Sequence, residues 1–472
     1  MTWGIFRQEW LSLRREGAMW LVVALVASFA GYGVYNGARW TAFQTRTLAS
    51  MAQEQHARID KLRSSIRQFT GRGPDPRSAA TVGDSTGAPY AVLPPAPLAS
   101  FSIGQSDLYP YYFKLGLKSR STITESDEIE NPVNLLSGRF DLAFAIIYLL
   151  PLVILALTYN LVSGEKENGT LAVALSQAVA LSALIARKVL FRALVLLLLV
   201  AAVSLAAIAL PGVDLTRAGI LPRLLLWTAV VLAYGSFWFV LAAGVNALGK
   251  SSATNALLLS GIWLVLVLLI PSSINLAAES LYPVPSRVEM IQAMREASIQ
   301  ANQKGSMLLA RYWEDHPDLA SPTGGAEGDA SFTTYAVQME VDRLTQPVFD
   351  HFEAQIASQE AVVNRFRFLS PAILAQKALN DISGTGVDRY RGFRASFDRF
   401  LTAWQDFFFR RISERALISS QELDSLPKFS YPDEPSGAIL GRVLPAFAGL
   451  LIPVVAIGLY ANRRLRNYPV AG

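Results

Sequence analysis

The sequence predicts an all-α integral membrane protein with six transmembrane helices and two largely helical extracytoplasmic segments. Three observations carry this expectation. The 472-residue chain is 52% hydrophobic and only 17% charged, more apolar and less charged than soluble domains. Six apolar runs, Met19–Tyr35, Phe140–Val162, Val189–Leu210, Leu224–Val245, Ala253–Ile270 and Ile439–Ala461, are near the roughly 20 residues that a bilayer core requires of a helix. Lys166, Arg187, Lys188 and Lys250 fall in alternate loops, and Arg463, Arg464 and Arg466 follow the last run. The positive-inside bias then puts both termini in the cytoplasm.

Composition also excludes functions. The net charge is +5, but the basic residues form no stripe of the kind that binds nucleic acid. Cysteine is absent, which removes disulfides, thiol catalysis and Cys-based metal sites.

Five stretches follow in order. Residues 1–37 hold an interfacial helix and the first span. Trp3, Phe6, Trp10, Leu11 and Leu13 alternate there with Arg7, Glu9, Arg14 and Arg15, giving an apolar and a basic face. A cleaved signal peptide is set aside, because the leader is long and amphipathic and has no clear Ala-x-Ala site. Residues 38–138 form the first extracytoplasmic segment. Leu48, Ala52, Ile59, Leu62, Ile66 and Phe69 mark a narrow helical stripe. Gly71 to Pro97 reads as a mobile loop, and the aromatic run Phe101 to Phe113 as packing within its own domain.

Residues 139–275 carry spans two to five and the cytoplasmic loop 163–188. Pro151 should kink the second span, with neighbouring helices satisfying the carbonyl it frees, and Pro271 closes the fifth. The short connection Pro211 to Pro222 makes spans three and four an antiparallel hairpin. Residues 276–436 form the second extracytoplasmic domain. Ser286 and Glu289 spell a capping box, with Val288, Ile291 and Met294 on one face of the helix it opens. Beyond the break at Gly324 and Gly325 a second helix runs from about Phe332 to Phe366. Ser370-Pro371 opens a third, which ends around Gly384-Thr385-Gly386. A fourth carries Tyr390, Phe393, Phe397, Phe400, Trp404 and Phe407 at spacings of three and four. Core packing is the first reading of this stripe; an interaction surface of the outer domain, as a helix resting on the outer leaflet or a wall of a substrate path, is the second. Residues 437–472 are the last span and a cytoplasmic tail.

The most charged stretch between spans two and three is Gly164-Glu165-Lys166-Glu167-Asn168-Gly169-Thr170-Leu171. It resembles the cytoplasmic loop of type-2 ABC transporter permeases, in which acidic residues and a Gly-Thr precede the coupling helix. Further stretches resemble the subgroup with large outer segments after spans one and five. They are Glu130-Asn-Pro-Val-Asn-Leu-Leu-Ser-Gly-Arg-Phe-Asp141, Asn246-Ala-Leu-Gly-Lys-Ser-Ser-Ala-Thr-Asn-Ala256, and Leu369-Ser-Pro-Ala-Ile-Leu through Asn380-Asp-Ile-Ser-Gly-Thr-Gly386. The resemblance implies a multi-pass subunit of a bacterial inner membrane, paired with a second copy or a sister permease and with ATP-binding subunits. It implies export driven by ATP and Mg bound in those partners, with no cofactor and no catalysis in this chain. Gly164, Glu165, Glu167, Gly169, Thr170, Leu171 and Leu175 would then form the ATPase-docking loop, with Glu165 and Glu167 meeting arginine or lysine of the ATPase. One departure stands out: after Leu175-Ser176-Gln177 the family usually has proline, where this chain has Ala178.

Other motifs lead nowhere. Gly244-Val-Asn-Ala-Leu-Gly249-Lys250-Ser251 matches the P-loop pattern, but a P-loop needs a strand before it and a nucleotide-binding fold around it, and apolar spans flank this one. Glu314-Asp315-His316-Pro317-Asp318 and Asp350-His351-x-Glu353 read as a turn and an exposed helix face rather than zinc sites. Arg192 and Arg442 lie about one turn inside their spans, where snorkelling lowers the cost. The spans carry no central carboxylate relay of the kind a proton-driven transporter needs. The alternative to export is mechanotransmission: ATP-driven motion relayed through the outer helices to an envelope protein, with no cargo crossing the bilayer.

Overall fold

The computed structural model describes residues 17–72, 75–117, 140–169, 171, 181–208, 219–315 and 326–468. Six of its helices are long and apolar enough to cross a membrane, which makes the chain a helical, multi-pass membrane protein. They are α1 (Gly17–Gln68), α2 (Leu142–Glu167, turning at 159–162), α3 (Leu181–Ile208), α4 (Ile220–Asn246), α5 (Ser252–Leu281) and α11 (Ser436–Arg466). Between α5 and α11 lie α6 (Arg287–Gln303), α7 (Gly305–Asp315), α8 (Ala326–Phe366), α9 (Pro371–Ser383) and α10 (Val387–Ser413). The interfacial helix expected before α1 lies outside the described residues, as do the turn between α3 and α4 and the break between α7 and α8.

α4 is the central member. A helix apolar on every side has no polar face to show to water, and Trp227, Tyr234, Trp238 and Phe239 are each at most 1% exposed. α2, α3, α9 and α11 pack around it. The flank of α1 reaches α2 through glycine. A Cβ on Gly33 would lie 2.6 Å from the Asp141 backbone, and one on Gly37 only 1.9 Å from the Ser100 carbonyl. Asn36 donates to the Phe140 carbonyl at 2.7 Å beside them.

The prolines of α2 and α5 are accommodated in the same way. Proline lacks an N–H and so orphans a carbonyl about one turn earlier. Before Pro151 the helix widens to a π stretch over Ala145–Leu149. The carbonyl of Ile147 accepts from the Tyr234 hydroxyl at 2.8 Å. Before Pro271 a second π stretch covers Leu264–Leu269. There the Leu266 carbonyl accepts from the Ser370 hydroxyl at 2.6 Å. Neighbouring helices thus supply the donors that the prolines remove.

Three expectations change in the polar part. The stripe at 48–69 is not a separate helix: α1 runs unbroken for 52 residues, about 80 Å at 1.5 Å per residue, because no proline interrupts it after the first span. The two polar segments share one core, in which Leu62, Val82, Ala91 and Phe113 of the first meet Phe332, Phe397 and Trp404 of the second. Within Gly71 to Pro97, read as a mobile loop, the described residues 75–97 pack into this core. Val82, Ala88 and Ala91 are fully buried, and Trp404 donates to the Gly83 carbonyl at 3.0 Å. Small residues there fill the gaps between the large rings of α10. Strand β1 (Tyr90–Val92) pairs antiparallel with β2 (Tyr112–Lys114), Ala91 opposite Phe113.

The aromatic stripe of α10 belongs to that core and is not an interaction surface. Phe393, Phe397 and Trp404 are fully buried. Tyr390, Phe400 and Phe407 pack half-buried around them. Their three-four spacing puts them on one helix face, and that face turns inward against Phe113, 4.8 Å from the Phe397 ring.

Tyr234→Phe removes one donor and leaves a buried carbonyl unpaired. It should lower stability by about 1–2 kcal/mol, read as a reduced melting temperature in detergent. An unchanged melting temperature would mean that the proline-freed carbonyl needs no partner.

Candidate functional site

The two ends of the helix bundle are built differently. At the end formed by α2, α4 and α5, a short helix, Ser163–Glu167, carries the predicted docking residues. Glu165 accepts from the Lys188 ammonium at 2.6 Å. Glu167 accepts from the Ser252 backbone N–H at 2.7 Å and from its hydroxyl at 2.8 Å, so it caps the N-terminus of α5. Both carboxylates expected to meet an ATPase cation therefore already have partners within the chain. Gly164 is half-buried, while Lys166, Glu167, Asn168 and Gly169 form an exposed turn. Gly169 has φ +70°, the left-handed conformation that commonly ends a helix on glycine. Leu171 is 5% exposed and sits among Val162, Leu181, Ile185, Ala247, Leu465 and Tyr468. Thr170, Leu175 and Ala178 lie outside the described residues.

Under this turn lies a knot of amides and hydroxyls that sequence reasoning did not find. The buried Asn246 side chain accepts from the Val162 N–H at 3.2 Å. It donates to the carbonyls of Thr158 at 2.8 Å and Ala242 at 2.9 Å. Asn255 and Ser252 both reach the Ser163 hydroxyl, at 3.3 and 2.8 Å. The motif Asn246 to Ala256 is thus a clasp that locks three helix ends together. Its P-loop likeness has no strand before it: Gly244 to Asn246 end α4, and Ser251 caps α5.

At the opposite end, α9 enters the bundle between α4 and α11 although it is only 13 residues long. Ser370 caps its start, accepting from the Ile373 N–H at 3.3 Å, and Gly384 at φ +70° ends it. Its buried face reads Leu374, Ala378, Asp381, Ile382, with a carboxylate in an apolar stripe. Asp381 is 3% exposed. Arg442 of α11 approaches it at 4.0 Å but binds Glu434 more closely, at 2.6 Å. Asp388 of α10 lies 3.9 Å from Arg442 and 3.6 Å from Lys377. Nearby, buried Arg389 donates to Asp433 at 3.3 Å and to the Pro94 carbonyl at 3.0 Å. Arg223 of α4 donates to the Glu434 carbonyl at 3.2 Å. Arg442 is therefore an ion-pair partner and not a snorkelling side chain, because Glu434 stands just before the start of its own helix. Arg192 likewise bonds within the chain, to the Leu157 carbonyl.

Burial pushes the Asp381 carboxyl up to about 6, against the pull of Lys377 and Arg442. Beside it opens a cavity of about 560 Å³ between α2, α5, α8 and α9. The sequence hint was a charge on the inward stripe of an amphipathic helix, visible at Asp381 once α9 is delimited.

A family described as a domain of unknown function, DUF3526, matches residues 287–432. The match takes in α6 to α10, and with them Asp381 and Asp388. No curated protein matches the chain.

The Asp381 carboxyl starts from an ordinary value of 3.8. Between that pH and about 6 the unfolded chain releases the proton while the folded chain keeps it, so stability falls as pH rises through the window. Asp381→Asn should remove this slope and raise stability above pH 6 by up to about 3 kcal/mol, measured as melting temperature against pH. A variant as pH-sensitive as wild type would place the titration on another group.

Proposed function

We propose that the chain is the permease subunit of a bacterial ABC transporter, converting ATP hydrolysis in a partner subunit into export across the cytoplasmic membrane. The observation that carries this reading is the exposed turn Lys166 to Gly169 standing on the Asn246 clasp. Force applied to that turn reaches the ends of α2, α4 and α5 together, because they share one buried hydrogen-bond network. The in-chain partners of Glu165 and Glu167 refine the proposal: the carboxylates shape the turn, and Lys166, Asn168 and the backbone present it to the ATPase. With this end in the cytoplasm, the shared lobe lies outside, and a second copy or a sister permease completes the bundle.

A second reading is mechanotransmission, favoured by α1, which continues without a break from the membrane bundle into the core of the lobe. In that case the lobe moves and an envelope protein responds, with no cargo transported. Flux into inverted vesicles supports export; lobe movement under ATP without flux supports the relay.

Docking is tested by co-purification of the full chain with ABC ATP-binding subunits from the same cell. Lys166→Glu and Asn168→Trp should each weaken capture at least ~10-fold while leaving the melting temperature unchanged. Retention of the ATPase by both variants, or no capture by wild type, overturns the reading.

A further inference from the structure

The cavity between α2, α5, α8 and α9 changes polarity along its length. Two hydrogen bonds mark its ends. At one, the Ser370 hydroxyl, in the turn from α8 to α9, bonds the Leu266 carbonyl within the apolar run of α5. At the other, the Gln359 amide donates to the Tyr282 carbonyl at 2.8 Å, just past the end of α5. α8 therefore descends beside α5 and α9 climbs back. Along α5 the lining runs from Val267 to Glu279, about 18 Å at 1.5 Å per residue.

The deep end lies against hydrocarbon. Phe366, Phe368 and Leu369, at the turn of the hairpin, are exposed, as are Leu268 and Leu269 of α5. Large apolar side chains left uncovered at the level of an apolar span face lipid. Arg365 and Arg367, between them, have the reach to snorkel outward.

The lining that an occupant can touch follows the same axis. Pro271, Val363 and Ile373, each half-buried, line the deep end. At the outer end Asn275 and Glu279 are exposed and Gln359, Gln376 and Lys377 are half-buried. Asn364 near the deep end and Ile356 near the outer end are the exceptions. The volume, about 560 Å³, is in the range of pockets that enclose small organic ligands.

Most charges around the outer end are engaged within the chain. Glu360 accepts from Arg391 at 2.6 Å, and Arg391 also lies 3.8 Å from Asp388. Lys377 lies 3.6 Å and Arg442 3.9 Å from that same carboxylate. Arg442 also meets Glu434 at 2.6 Å and Asp381 at 4.0 Å. Glu279 stands at the exposed rim, in reach of water. What the wall offers is amide chemistry. Gln359 and Gln376 each donate once within the chain, which leaves an oxygen to accept, and Asn275 can do both. Hydroxyls and amides of an uncharged head group match such a wall.

We propose that this cavity holds a membrane amphiphile that enters from the bilayer. Its hydrocarbon chain lies along Pro271, Val363 and Ile373, and its uncharged, hydroxyl- or amide-bearing head meets Asn275, Gln359 and Gln376. Binding is independent of ATPase docking and of whether cargo is moved, since every group that forms the site belongs to this chain.

The test is photolabelling of the full chain in lipid nanodiscs with a pair of octyl glucoside probes. One carries a diazirine at the chain end and the other on the sugar, and adducts are mapped to residues by mass spectrometry. The chain-end probe should label Val363, Ile373 or their neighbours, and the sugar probe Asn275, Gln359 or theirs. Unlabelled octyl glucoside should displace both at a concentration at least ~10-fold lower than octyl sulfate or octyltrimethylammonium requires, because a charged head finds no free counter-charge. Val363→Trp fills the deep end and should cut labelling by both probes at least ~10-fold. Asn275→Trp, at an exposed position, should do the same from the outer end, and it decides the matter if Val363→Trp fails to fold. Labelling absent from these residues, reversed between the two probes, displaced equally by charged heads, or indifferent to both substitutions overturns the proposal.

Discussion

The structure depends on keeping α9 inside the bundle. This helix has 13 residues, too few to cross a bilayer, and it carries a carboxylate on its buried side. Apolar packing by Leu374, Ala375, Ala378 and Leu379 supplies the gross attraction, but it does not fix depth or rotation. Two polar attachments do. Ser370 at the start bonds the Leu266 carbonyl that Pro271 has freed. At the far end, Asn380 accepts from the Ser102 hydroxyl at 2.7 Å, and Asp381 meets Arg442. A proline in α5 and a serine in α9, remote in sequence, therefore act as a lock and its key.

The same logic governs both ends of the membrane bundle. Buried polar groups specify geometry more than they stabilise, because each must be satisfied in one arrangement. Asn246 does this with three hydrogen bonds at the clasp. The charge cluster around Arg442 does it less completely. Its Asp381 carboxylate meets Arg442 only at 4.0 Å, while Glu434 holds the same guanidinium at 2.6 Å.

How much of this was legible in the sequence follows from the range of each interaction. Spans, the Ser286 capping box and the Ser370-Pro371 start are local patterns, and the structure has them where the patterns fall. The stripe from Leu48 to Phe69 was legible as helix, but its fusion with the first span was not, since polar residues between them mimic a boundary. Partners of charges were beyond reach. Lys188 is 23 residues from Glu165, and 361 residues separate Arg63 from Asp424, which ties α1 to the far side of the lobe. The common core of the two polar segments is of the same kind: periodicity gives each helix an inward face without saying what it faces. In the loop, the acidic character of 165–167 was plain, but its use as an internal cap required the position of Ser252.

The unbroken course of α1 has a mechanical consequence. A rod of about 80 Å pivoting about a third of the way along, where Gly33 and Gly37 bear on the Asp141 and Ser100 backbones, magnifies small rotations at its longer arm. A tilt of about 5° at that fulcrum displaces the lobe-side tip by roughly 4 Å, a little more than the rise of one β-strand residue. Glycines at the fulcrum leave the contact smooth, and the tip carries Leu62 and Ile66 into the aromatic core of the lobe. Side chains packed that tightly transmit a shift of this size instead of absorbing it.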